Sequence, residues 1–433
     1  MLNDASLQAV NASQFSQQFV KPLYSSYNFA NLPATIEFLL TGKQNAGHTI
    51  LPLDVFGKLP THYDKVLLFF VDAFGWRFFE RYAEKYDFLK TVLQQGVVSK
   101  ITSQFPSTTA AHVTNIHTGL PVGQSGVYEW NYYEPLVDDL ISPLLFSYVN
   151  YTSEDKLKRD TVKRANVPAA SFFPEQTLYN TLKEQGIVSH VLQHQNYTPS
   201  TYSDIVLRGA RQHSYLHIEV ALSYLAELVT VENAPPSYYF VYFDRIDSAC
   251  HHYGPFSKEF EREVDGFFKA LETLFYKNVQ GKVKNTLLIV TADHGQIEVN
   301  PKTTYYLDKE LPDFHRFLAT NRQGHLLVPA GSARDMFLYI KEEDKAEATA
   351  LLREKLAGRA EIYDTQDLLV QHFFGEAEPT PTFLARLGNV VILPYKNETV
   401  WWSQGGKYDL RFLGMHGGLT REEVEIPLLL LSL

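Results

Sequence analysis

Three apolar runs in this sequence stop at aspartate. Residues 65–71 (KVLLFFV) end at Asp72, 238–243 (YYFVYF) lead through Asp244 to Asp247, and 286–291 (TLLIVT) end at Asp293. A lone aspartate at a strand end is ordinarily a helix cap. Here each has company. Asp247 is followed four residues later by His251, a spacing that puts both on one face of a helix. His294 follows Asp293 directly in TADHG, and His416 sits between glycines in GMHGG, where the backbone can bend and approach closely. Carboxylates and imidazoles together are the donors zinc accepts. Asp72, Asp247, His251, Asp293, His294 and His416 are enough for two ions with open positions. A second stretch, FPSTTAAH over 105–112, carries three consecutive hydroxyls, Ser107, Thr108 and Thr109, at the entry to a helix starting near Thr109. The bland reading is an N-cap. The chemical reading is a nucleophile at a helix N-terminus, where free N–H groups favour an alkoxide and an incoming phosphate. A hydroxyl of this kind is weak until a metal ion activates it.

The elements that must position these residues follow from the same runs. Short continuous stretches of Val, Leu, Ile, Phe and Tyr read as buried parallel strands. Helix-like stretches separate them, at 175–185, 216–228 and 257–274. The alternation predicts an α/β fold, a layered α/β/α sandwich around a mostly parallel central sheet. Ligands in such folds bind beyond the carboxyl ends of the strands, so the three strand-end aspartates are expected to converge. Residues 1–64 read as an N-terminal extension docked on the core, with a helix over 32–40. Residues 65–300 and 401–433 read as the core, the latter including a strand over 426–431. Residues 301–400 read as a smaller α/β insertion, with strands at 336–340 and 390–394 and a helix at 345–356.

Composition narrows the partners. The chain has 433 residues, 45% hydrophobic and 20% charged, which excludes a disordered or low-complexity protein. A net charge of −10 argues against binding a nucleic-acid polymer through a basic surface. The N-terminal residues lack the basic start and apolar core of an export signal, and the longest apolar runs are too short to span a bilayer. With one cysteine, Cys250, no internal disulfide is possible. The expectation is therefore a cytoplasmic protein without membrane contact.

Taken in order, VDAFGW around Asp72, FPSTTAAH around Thr109, DRIDSACHHYGP around Asp247 and His251, TADHG and GMHGG resemble the type I phosphodiesterase/nucleotide pyrophosphatase-like family of the alkaline phosphatase superfamily. The likeness runs from about 65 to 433. It implies an alkaline-phosphatase-like fold with two divalent ions, zinc being favoured and manganese the alternative. One ion would be held by Asp247, His251 and His416, the other by Asp72, Asp293, His294 and the nucleophile, which family spacing puts at Thr109. The implied reaction is in-line displacement through a phospho-threonine on a small phosphorylated substrate, cleaving a phosphodiester or pyrophosphate bond. Three aspartates and two divalent ions leave the site at about +1, attractive to phosphate in an acidic protein. The sequence also departs from the family pattern. Where nucleotide-handling relatives carry an aromatic residue and an asparagine after the nucleophile, this chain has Ala110 and His112. The phosphate-contacting asparagine falls by count on Glu129, with Asn131 two residues on. His112, Glu129 and Asn131 are thus expected near substrate. Glu129 would repel a dianionic monoester more than a monoanionic diester. A phosphonoacetate-type phosphonate hydrolase and a phosphomonoesterase are alternatives on the same site. A phosphate-binding scaffold without catalysis is the alternative of another class.

Overall fold

In the computed structural model, residues 1–45, 47–149 and 159–433 are described. Strand β1 (Lys65–Val71) is buried at every position after Lys65, and β5 (Ser237–Phe243) and β6 (Thr286–Thr291) are buried throughout. Strands without an in–out alternation need cover on both faces, which is the condition of a parallel sheet between helices. The remaining strands of this sheet are β2 (Val97–Thr102), β3 (Val188–His194), β4 (Arg211–Tyr215) and, after the four strands of a second sheet, β11 (Glu425–Ser432). Their order is β2-β11-β6-β1-β5-β3-β4. All pairings are parallel except those of β11, which runs antiparallel to both β6 and β2.

Helices cover both faces. Leu32–Thr41, α1 (Thr109–Thr118) and Leu178–Glu184 pack side by side as one layer; Ile218–Val229 and Lys258–Ala270 belong to the other. A further helix, α2 (Arg245–Tyr253), leaves the carboxyl end of β5. The outer edge of β2 is covered by the N-terminal residues. Asn3 N–H donates to Val98 O at 2.8 Å, Val98 N–H donates to Met1 O at 2.9 Å, and Asn28 Nδ2 donates to Thr102 Oγ1 at 3.0 Å. An unpaired sheet edge is a template for aggregation, and this segment closes it.

The second sheet consists of β7 (Ala330–Ser332), β8 (Asp335–Leu338), β9 (Ala360–Asp364) and β10 (Val390–Pro394), in the antiparallel order β7-β8-β10-β9. Helix α3 (Lys345–Lys355) packs Ala348 and Leu352 against it, in an apolar cluster that also takes in Leu338, Ile362 and Ile392. That cluster extends to Ile297 and Met415, so it reaches past residues 301–400 on both sides. The sheet is tied to the main one by Arg334, whose Nε and Nη2 each donate to Glu423 at 2.9 Å with both side chains fully buried. Breaking such a pair strands a buried charge, at a cost of about 3–5 kcal/mol. The aromatic run after α1 forms a small sheet of Tyr132–Glu134, Asp139–Ser142 and Ser147–Tyr148. Tyr128 and Tyr132 are buried and stacked at 5.1 Å, and Trp130 is exposed.

Candidate active site

The parallel strands deliver their aspartates to one edge. Asp72 follows β1 directly and its N–H donates to Phe243 O at 2.9 Å, holding the ends of β1 and β5 together. Asp293 lies two residues beyond β6, its Oδ1 accepting from Ala73 N–H at 3.0 Å and from His294 N–H at 2.9 Å. The first turns of α2 carry Asp247 and then His251, with Nε2 of His251 3.4 Å from Asp247 Oδ1. His416 arrives from the loop before β11, with its Nε2 3.7 Å from the same oxygen. His294 Nε2 lies 3.3 Å from Asp293 Oδ2, 3.6 Å from Asp72 Oδ1 and 3.3 Å from Thr109 Oγ1. Thr109 is the first residue of α1, reached from β2 through a turn at Pro106. All seven residues expected from sequence are therefore in one place.

The donors are presented as metal ligands require. Each imidazole uses Nδ1 on a backbone carbonyl: His251 on Gly414 O at 2.8 Å, His416 on Ser107 O at 2.9 Å and His294 on Gly295 O at 3.0 Å. That leaves each Nε2 with its lone pair toward the centre. Two groups of donors are compact, Asp72, Asp293 and His294 in one and Asp247, His294 and His416 in the other. The charge balance points the same way. Asp72 Oδ1 and Asp293 Oδ2 are buried without a hydrogen-bond partner among the described residues. Burial first, then the neighbouring carboxylates Asp293 and Asp247, push the Asp72 carboxyl well above its usual range, and burial raises Asp293. Burial likewise holds His294 and His416 neutral, well below the ordinary imidazole range. Crowded carboxylates beside neutral imidazoles are relieved by cations, and these residues fit two divalent ions.

Two supporting residues gave no motif in the sequence. The Tyr242 hydroxyl donates to Asp72 Oδ2, and Gln296 Nε2 donates to Asp247 Oδ1. Tyr242 sits next to the end of β5 and Gln296 three residues after Asp293, so proximity to the motifs was the one available signal. A cavity of about 610 Å³ opens over the centre, its wall including Thr109, Glu129, Asn131, Tyr197 and Phe412. Asn131 Oδ1 accepts from the Ser142 hydroxyl.

Residues 66–419 match the sequence profile described as type I phosphodiesterase / nucleotide pyrophosphatase. The chain belongs to that family. A rat protein, ectonucleotide pyrophosphatase/phosphodiesterase family member 3, is 23% identical over 275 residues, which is 60% of this chain and 28% of that protein. The matched part thus spans well under a third of that relative. Among solved structures, murine ectonucleotide pyrophosphatase/phosphodiesterase 5 aligns over 84% of this chain and 87% of its own, with a TM-score of 0.61 and 18% identity. The human protein of the same name aligns over 85% and 87%, with a TM-score of 0.61 and 17% identity. The murine protein has also been solved as an inactive threonine-to-alanine variant in complex with AMP. These structures share the alkaline-phosphatase-like fold with this chain.

Two expectations are corrected. The cytoplasmic location is overturned by these comparisons, because the solved proteins that share the fold are ectoenzymes by name. A core this large needs no disulfide on either side of a membrane, so a lone cysteine does not report the compartment. Among the described residues no helix is long and apolar enough to cross a membrane. His112 is not a wall of the cavity. Its Nδ1 donates to Thr108 O at 2.7 Å and its Nε2 accepts from Gln104 N–H at 2.9 Å, while its ring packs edge-on against Phe29. Burial pushes it down to about 4, so it is a neutral brace for the turn into α1.

Proposed function

We propose that this protein is a two-metal hydrolase that cleaves phosphodiester or pyrophosphate bonds of small substrates, with Thr109 as nucleophile. The observation that carries the reading is the Thr109 hydroxyl, at the first residue of α1, 3.3 Å from His294 Nε2 within the carboxylate–imidazole centre. Asp72, Asp293, His294 and Thr109 would hold one ion and Asp247, His251 and His416 the other. His294 belongs to both compact groups, but one Nε2 lone pair makes one bond. Its neighbours Asp293 and Thr109, each at 3.3 Å, favour giving it to the first ion, and His251, 3.4 Å from Asp247, would then complete the second. The donor set suits zinc, with manganese as the alternative. The ions, when bound, supply the positive charge that lowers the hydroxyl's pKa and balances charge on the phosphoryl and leaving oxygens.

The chain's own residues do the rest. The first turn of α1 would offer its free N–H groups to the phosphoryl oxygens. Thr109 Oγ1 attacks phosphorus as the bond to the leaving oxygen breaks, and water then cleaves the phospho-threonine and restores the hydroxyl. Tyr242 and Gln296 hold Asp72 and Asp247 in place through hydrogen bonds. A cavity of about 610 Å³ admits a group of nucleotide size, in keeping with the AMP bound to the murine relative. The test is hydrolysis of bis-p-nitrophenyl phosphate beside p-nitrophenyl phosphate, with zinc or manganese and with EDTA. Faster, EDTA-sensitive cleavage of the diester is expected. Preference for the monoester would make the protein a phosphatase. Cleavage of neither, with metals bound, would leave a phosphonate hydrolase or a scaffold.

A further inference from the structure

Of the three hydroxyls at the entry to α1, Ser107 is the one turned away from the cavity. Thr108 and Thr109 belong to the cavity wall, whereas Ser107 does not and is fully buried. Nor does Ser107 cap the helix, because the N-cap position is Thr108. Its polar atoms are engaged instead with residues 416–418, in the loop before β11. Ser107 Oγ donates to Gly418 O at 2.8 Å and accepts from Gly417 N–H at 3.1 Å. The Ser107 carbonyl accepts from Nδ1 of His416 at 2.9 Å, and its N–H donates to Gly417 O at 3.2 Å. A hydroxyl suits this joint, because it gives one O–H and accepts through its lone pairs. The two segments it joins carry different parts of the site. Thr109 lies two residues after Ser107 in the chain, and His416, at the far side of the joint, has its Nε2 3.7 Å from Asp247 Oδ1. One residue therefore stands between the nucleophile and a donor of the second ion.

We propose that Ser107 is a positioning residue, which pins the His416 loop to the turn carrying Thr109 through a joint made by the chain alone, and so sets the protein's affinity for the second ion. The proposal rests on the two-metal reading of the site. Removing the hydroxyl would deprive Gly418 O and Gly417 N–H of this partner in a closed interior, and the loop must move for either to find another. His416 moves with it. The first ion's donors are held from elsewhere: Asp72 and Asp293 follow β1 and β6, His294 is adjacent to Asp293, and Thr109 is fixed as the first residue of α1. Loss of the hydroxyl should therefore weaken one ion and spare the other. Residues that orient a metal ligand without touching the metal typically carry about tenfold to a hundredfold in affinity.

Zinc titration against a competing chelator tests this without turnover. In Ser107→Ala one ion should bind as in the wild type and the other at least about tenfold more weakly. Ser107→Thr, which keeps the hydroxyl, should hold the second ion more tightly than Ser107→Ala does. Cleavage of bis-p-nitrophenyl phosphate by Ser107→Ala should be low at limiting zinc and return to within about threefold of the wild type once zinc saturates the weaker site. A lost nucleophile or a loosened fold would not be restored by zinc. Unchanged affinity for both ions in Ser107→Ala, or equal weakening of both, overturns the proposal, as does turnover that stays low with both ions bound. Should Ser107→Ala fail to fold, the wild type decides. In metal-stripped protein labelled with 15N-glycine, the Gly417 amide should exchange with solvent at least about a hundredfold more slowly than an unstructured amide. Exchange at the unstructured rate would mean that the joint does not stand without metal, and overturns the proposal. If the wild type cleaves no ester, the proposed function fails by itself, and the zinc affinities and the exchange rate still decide the role of Ser107.

Discussion

The imidazoles of His294 and His416 lie face to face, ring centroids 3.6 Å apart and planes 11° from parallel. Two imidazolium rings could not be held at this distance, and burial lowers both imidazoles well below their ordinary range, so both offer lone pairs. Metal binding should therefore stabilise the fold directly. Dialysis against a chelator is expected to lower the thermal unfolding midpoint, and zinc at about a hundred times its dissociation constant should restore about 2.7 kcal/mol for each ion bound. An identical midpoint with and without zinc would remove the metal reading.

Thr109→Ala should reduce diester turnover at least about a thousandfold while leaving the bound metal close to the wild-type amount. Steady-state kinetics and metal analysis by mass spectrometry check the two halves. Full activity in this variant, with loss in Thr108→Ala or Ser107→Ala, would transfer the nucleophile to a neighbour.

Gly417 connects His416 to the strand beyond it with φ of 125°, and a Cβ there would meet Asp335 Oδ1 at 2.5 Å and Ser332 Oγ at 2.6 Å. Gly417→Ala forces the loop away and carries His416 with it, at a cost of roughly 1–3 kcal/mol in backbone strain. Zinc titration should show one of two ions weakened and the other retained. Equal weakening of both would mean the loop does not serve a single ion.

His117, on α1, is buried against Phe240 and its Nδ1 meets the Tyr179 hydroxyl at 2.7 Å. Burial pushes it down to about 3 from 6.5. Between those values the unfolded chain binds a proton that the folded chain does not, so stability falls as pH falls below 6.5. From pH 7 to pH 5 this single group should remove about 2 kcal/mol. In His117→Gln that share of the acid sensitivity should disappear, as read from urea midpoints at the two pH values. The same slope in the variant would acquit His117.

The local motifs were legible because their chemistry is contained within a few residues. Asp247 and His251 are one helical turn apart, and Asp293 and His294 are adjacent. The apolar runs that end at Asp72 and Asp293 are strands because neither face of them could be left in water. The helix expected to start near Thr109 starts there. His112 misled because spacing along a helix does not say which face looks into a cavity; its ring nitrogens are taken by the backbone of the turn it braces.

By itself, the sequence determined the strand-forming runs, the ligand types and the helix that begins at Thr109, since each depends on burial pattern, spacing or capping within one segment. The tertiary structure alone decided what crosses segments. It inserted β11 antiparallel between β6 and β2 and brought His416 over His294. Those contacts join residues far apart in the chain, and no local propensity carries them. Strand order and loop geometry place the side chains, and burial then holds the imidazoles neutral and raises the Asp72 and Asp293 carboxyls.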